Sequence, residues 1–144
     1  MPRQYARRRV VMAVTFLMLL SPAVNGDESE QQMGVAREMV KVLEAYAVYK
    51  MGQYDLAFER YQALAKSGSH QGMYNLANMY ANGVGVEQDN AKAFEWYLKG
   101  AEAGDKLSMS AVAEAYAQGL GTEADPNRAD FWQAKATAES DHSR

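Results

Sequence analysis

The 144-residue chain contains no cysteine. That excludes a disulfide scaffold, a thiolate zinc site, a thiol nucleophile and a Cys-anchored lipoprotein. Its two histidines, His70 and His142, have no partner at ligand spacing, whereas structural zinc takes about four nitrogen or sulfur ligands. The three prolines are Pro2, Pro22 and Pro126, which leaves the long interior free to be helical. No Gly-x-Ser-x-Gly elbow exists, and none of Ser67, Ser69, Ser108 or Ser110 has a lysine three residues on. The longest apolar run, Val10 to Leu20, is too short for the roughly 20 residues that span a bilayer. What remains is a chain with 48% hydrophobic and 23% charged residues. That mixture builds a core and excludes wholesale disorder, and the length suits one small domain.

The first residues read as an address. Arg3, Arg7, Arg8 and Arg9 precede the apolar run, and Ser21-Pro-Ala-Val-Asn-Gly26 leads into acidic Asp27, Glu28 and Glu30. A charged start, a short apolar segment and a small-residue end make a secretory signal peptide. Cleavage is expected after Gly26, with Ala23 and Asn25 as alternative points. The arginine cluster lacks the flanking residues of a twin-arginine signal, so ordinary export is expected. The compartment is then the periplasm, with full secretion as the alternative. Without residues 1–26 the chain keeps 11 basic and 18 acidic residues, a net charge of −7. Nucleic acid needs clustered lysine and arginine and is excluded as a partner. No membrane span remains after cleavage.

Internal repetition is the strongest signal. A shift of 36 residues lays Tyr80 on Tyr116, Gly83 on Gly119, Gly85 on Gly121, Ala93 on Ala129 and Trp96 on Trp132. Ala57, Phe58, Tyr61 and Gly68 match Ala93, Phe94, Tyr97 and Gly104 at the same shift, while Tyr49 and Gly52 reach Tyr80 and Gly83 at a shift of 31. Each copy reads as helix, turn, helix. Met73, Leu76, Ala77 and Tyr80 recur at three- and four-residue spacing and share a face. Glycine at 83 and 85 suits the left-handed turn that ends a helix. A phosphate loop would need a strand before those glycines, and here a helix precedes them. Ser69, Asp89, Asp105 and Asp125 offer caps, and Pro126 fits a first turn. Six helices are expected, near 36–51, 55–67, 70–82, 90–103, 106–118 and 126–140. Glu59 and Glu95, at equivalent helical positions, read as solvated faces.

The pattern Tyr80-x-x-Gly83-x-Gly85, Ala93, Trp96-Tyr97 and Ala101-x-x-Gly104-Asp105, with its second copy Tyr116, Gly119, Gly121, Ala129 and Trp132, resembles the Sel1-like repeat. That repeat is a relative of the tetratricopeptide repeat. Gly52-x-Tyr54-x-x-Ala57-x-x-x-Tyr61 is more similar to a tetratricopeptide turn. Gly72 and Ser108 stand where the family prefers alanine. The resemblance implies an all-α fold, a short right-handed α-solenoid of three helix-turn-helix repeats. Its domains are a signal peptide (1–26), an acidic flexible lead-in (27–35), three hairpins (36–67, 68–104 and a capping 105–140) and a tail (141–144).

The same resemblance implies a non-enzymatic scaffold or regulator that binds a protein or peptide, with no cofactor, as a monomer or weakly self-associating. The alternative from another class is a small cell-wall-related hydrolase, since Cys-rich relatives are linked to β-lactam hydrolysis. This chain lacks their cysteines. In related solenoids the first helix of each copy lines the concave groove. By that analogy the partner-facing residues are Gln71, Tyr74, Asn75, Asn78 and Asn82, continued by Ser110, Glu114 and Gln118. The 31-residue shift adds Leu43 and Met51, beside Val40 and Ala47. Tyr74 and Asn78 are expected to serve binding while contributing little to stability.

Overall fold

The computed structural model describes residues 26–138. The expected signal peptide, apart from Gly26, and the tail 141–144 lie outside them. Six helices follow in order: α1 Gly26–Lys50, α2 Tyr54–Lys66, α3 His70–Asn82, α4 Asn90–Glu102, α5 Lys106–Gln118 and α6 Pro126–Thr137. Among the described residues there is no strand, and no helix is long and apolar enough to cross a membrane.

The chain divides into two units between Arg37 and Glu38. In the first, an irregular lead-in is expected over 27–35, yet these residues are helical and belong to α1. Asp27 and Glu28 occupy its first turn, where carboxylates complement the helix dipole, and the Ser29 hydroxyl donates to the Gly26 carbonyl at 2.8 Å. The second unit, from Glu38 onward, is an all-α solenoid of three antiparallel helical hairpins.

Local chemistry sets the helix ends in the second and third hairpins. The side chains of Ser69, Asp89, Asp105 and Asp125 each accept a hydrogen bond from the backbone N–H three residues on. Pro126 sits in the first turn of α6, where a missing N–H costs nothing. Gly83 and Gly119 close α3 and α5 at φ +64° and +69°. The second glycine of each pair does something different. A methyl group on Gly85 would strike the carbonyl of Tyr54, and one on Gly121 would strike the carbonyl of Asn90. Tyr54 opens α2 and Asn90 opens α4. Each long turn therefore rests, backbone against backbone, on the second helix of the preceding hairpin.

Two groups of side chains form the core. One gathers Ala45, Val48, Ala57, Tyr61, Leu76 and Met79 around the first two hairpins. The other gathers Ala101, Val112, Tyr116 and Ala129 around the last two, and Tyr97 packs against both. The departures at Gly72 and Ser108 have a packing reason. A Cβ at Gly72 would lie 2.6 Å from that of Leu64, and a Cβ at Gly100 would lie 3.0 Å from that of Ser108. Leu64 and Gly100 are 36 residues apart, as are Gly72 and Ser108. The same helix crossing is thus filled by leucine against glycine in one junction and by glycine against serine in the next. Ser108 is fully buried and gives its hydroxyl hydrogen to Asp105 at 2.5 Å.

Candidate functional site

The signature aromatics of the repeat are structural. Tyr80 and Tyr116 are buried, and each meets a phenylalanine edge-on, Phe58 at 5.4 Å and Phe94 at 5.2 Å. Lys92 and Arg128 lie over these tyrosine rings at 5.6 and 5.5 Å. Each also pairs with its capping carboxylate, Asp89 at 3.4 Å and Asp125 at 3.3 Å. A cation near a helix start opposes the dipole, and the ring and the carboxylate offset that cost. Asp89 is held below the usual carboxylate range, chiefly by the Lys92 backbone N–H and then by the Lys92 ammonium. Lys99 stacks on Trp96 at 4.2 Å and Lys135 on Trp132 at 5.2 Å.

Two troughs open along the first helices of the hairpins. The first, about 250 Å³, is walled by Tyr46 and Tyr49 of α1, Tyr61 of α2, and Asn75, Asn78 and Asn82 of α3. The second, about 390 Å³, takes Asn78 and Asn82 again, with Gln88, Tyr97, Glu114 and Leu120 prominent among its other residues. Aromatic rings therefore dominate one end, amides the middle, and a carboxylate appears beyond. The amides are anchored locally. Asn75 donates to the Gln71 carbonyl at 2.9 Å and Asn82 to the Asn78 carbonyl at 2.8 Å. Gln88 donates to the Ala81 carbonyl at 2.8 Å, and Gln118 to the Glu114 carboxylate at 3.0 Å.

Of the residues expected on this face, Asn75, Asn78, Asn82 and Glu114 line the troughs. Gln71, Ser110 and Gln118 are exposed beside them. Leu43 and Met51 are 59% and 72% exposed but face neither trough. The 31-residue register itself holds: Gly52 and Gly83 both take the left-handed turn, Gln53 and Val84 donate to the Val48 and Met79 carbonyls, and Ala45 is buried like Leu76. The trough draws its α1 wall from Tyr46 and Tyr49, the equivalents of Ala77 and Tyr80, and not from the equivalents of the α3 groove residues.

Tyr74 and Asn78 also need correcting, because both support the fold. The Tyr97 hydroxyl donates to the Asn78 side-chain oxygen at 2.5 Å, and the Tyr74 ring lies 5.9 Å from that of Tyr97. Burial, with Tyr74 and Glu114 nearby, pushes the Tyr97 phenol up to about 12, and burial does the same to Tyr61. Both stay neutral at ordinary pH. Tyr61 and Tyr97, read from sequence as core, contribute to the trough walls as well.

None of the candidate serines is disposed as a nucleophile. The hydroxyls of Ser67 and Ser110 donate to the Leu64 and Lys106 carbonyls, Ser69 is buried as the cap of α3, and Ser108 is buried against its cap Asp105. Among the described residues no cluster of His, Asp and Glu is placed to hold a metal.

A stack of helical hairpins with an open, amide-walled face defines a class of repeat scaffolds. The Sel1 repeat matches residues 70–105 and 106–141, half of the chain, and the protein belongs to that family. Its fold is a repeat scaffold of stacked helical hairpins. A Sel1 repeat protein from Oxalobacter formigenes shares 29% identity at a TM-score of 0.56, over 64% of this chain and 41% of its own. A protective antigen of uropathogenic Escherichia coli strains, displaying an SLR fold, shares 28% identity at a TM-score of 0.64, over 72% of this chain and 23% of its own. The chain thus spans less than half the length of either. No curated protein matches it.

Proposed function

We propose that the protein is an exported, periplasmic adaptor that docks a protein or peptide segment along the two troughs. Export is supported by Arg3 to Arg9, the apolar run Val10–Leu20 and the small residues before Asp27. Docking is supported by one observation above others. Asn75, Asn78 and Asn82 line a continuous strip of α3, uncharged on a protein otherwise rich in charge. Carboxamides hydrogen-bond a partner's backbone without the desolvation cost of burying a charge. The tyrosines at 46 and 49 add flat, amphipathic surface of the kind that dominates binding hot spots.

The test separates binding from folding. Asn75 and Asn82 donate only to carbonyls of their own helix, so Asn75→Ala with Asn82→Ala leaves the melting temperature within a degree or two. A photo-crosslinking residue at Asn75, in the full chain expressed in its cell, identifies the partner. The double variant then weakens that partner by about 1–2 kcal/mol, a modest hot spot. Equal crosslinking from the outward-facing Glu59 position, or unchanged affinity in the double variant, overturns the assignment of this face. Retention of the unprocessed chain in the cytoplasm overturns the export reading.

A further inference from the structure

We infer that the second trough receives an arginine side chain of the docked partner. This rests on the adaptor reading of the same face and gives the partner a chemistry. One carboxylate and several fixed polar groups set the chemistry of this trough. Tyr97 has given its only proton to Asn78. Asn82 and Gln88 each have their amide nitrogen turned onto a backbone carbonyl. That contact fixes which way each amide points, since a flipped one would set oxygen against oxygen. The groups left to meet a ligand include the side-chain oxygens of Asn82 and Gln88 and the lone pair of the Tyr97 hydroxyl, beside the Asn78 amide nitrogen and the Asn90 carboxamide on the same wall. Glu114 adds a carboxylate, one oxygen of which accepts from Gln118 at 3.0 Å. Among the described residues no lysine or arginine forms an ion pair with Glu114.

An unpaired carboxylate on a wall that also carries these amide and phenol oxygens suits a cation with several donors. Guanidinium carries five N–H groups in a plane, whereas ammonium offers three from one point. Phe94 and Leu120, on the same wall, offer apolar surface to the methylene stem. The first trough, with three tyrosines, three asparagines, Met79 and Val84, has no ionised group and lacks this preference. A partner segment lying along both troughs would then be oriented, with its arginine toward α5.

The experiment uses two small probes, Nα-acetyl-arginine methylamide and the citrulline compound that matches it in shape but not in charge. Each is titrated into the full chain purified from expressing cells, with the side-chain amide signals followed by NMR. The arginine probe is expected to shift Asn82 and Gln88 at millimolar concentration, and the citrulline probe to bind at least about tenfold more weakly. Glu114→Gln brings arginine down to the citrulline level while leaving the melting temperature unchanged. Equal binding of the two probes, shifts confined to other residues, or indifference to Glu114→Gln overturns the inference. So does the absence of any shift at tens of millimolar. A partner that crosslinks at Asn75 yet has no arginine in the docked segment defeats this inference and leaves the adaptor reading standing.

Discussion

The first hairpin and the two that follow it turn their corners differently. Residues 51–53 join α1 to α2, and Gln53 caps α2 without a side-chain hydrogen bond. Gly52 has φ +77°, and a methyl group there would meet nothing. Residues 83–89 and 119–125 make longer turns that end in an aspartate cap. Each of these also lays a glycine on the backbone of the preceding second helix. The difference teaches what the longer turn is for. A short turn suffices to reverse the chain. The extra residues with their second glycine are needed only where an earlier second helix lies within reach to be gripped.

The sharpest way to break this comparison is to add one methyl group on each side of it. Gly121→Ala forces a side chain into the left-handed region and into the Asn90 carbonyl. It should cost about 3–4 kcal/mol, the sum of backbone strain and overpacking. Gly52→Ala meets the strain alone and should cost about 1 kcal/mol. Urea denaturation followed by helical ellipticity reads both, and equal losses would show that the long turn grips nothing.

A second experiment exchanges one junction for the other. Leu64→Gly with Gly72→Ser writes the Gly100–Ser108 pair into the first crossing. Serine at 72 alone clashes with Leu64, and glycine at 64 alone empties the crossing. Together they should be less damaging than the sum of the two, with a favourable coupling of about 1–2 kcal/mol. Strict additivity would show that the two positions do not share one packing site.

The smallest effect distinguishes Tyr61 from its equivalent, Tyr97. Both phenols titrate near 10 when unfolded and at about 12 when folded, because burial disfavours the phenolate. Their contribution is complete below pH ~10 and declines as pH rises through the interval up to 12. Thermal melts across that range should show the decline, and Tyr97→Phe or Tyr61→Phe should each flatten part of it. At neutral pH only Tyr97 has a hydrogen bond to lose, so Tyr97→Phe costs about 1 kcal/mol and Tyr61→Phe less. Identical costs would mean that the Asn78 bond adds nothing to the second hairpin.

How much of this the sequence discloses depends on the range of the interaction. Caps at Ser69, Asp89, Asp105 and Asp125 are legible because a side chain and an N–H three residues away decide them. The glycines at 83 and 119 are legible because φ is a property of one residue. The trough is less so. Its α1 wall is Tyr46 and Tyr49 rather than Ala47 and Met51, because a wall is set by which side of a helix borders the trough and not by repeat equivalence alone. The double role of Asn78 is hidden because Tyr97, which bonds to it, is 19 residues away in sequence. The lead-in at 27–35 carries mixed polar residues with no apolar stripe, so no periodicity marks it as helix.

The resting of Gly85 on Tyr54 and of Gly121 on Asn90 has a consequence for descent. The atoms nearest to each glycine are main-chain carbonyl atoms, and every residue type supplies the same ones. A bulky aromatic and a small amide serve the joint equally well. Mutation can therefore rewrite what stands beside the joint without retuning it, and a duplicated hairpin arrives already able to seat on its neighbour. Such an array can lengthen by copying while its open face drifts freely toward a new ligand, because attachment and recognition are inherited through different atoms.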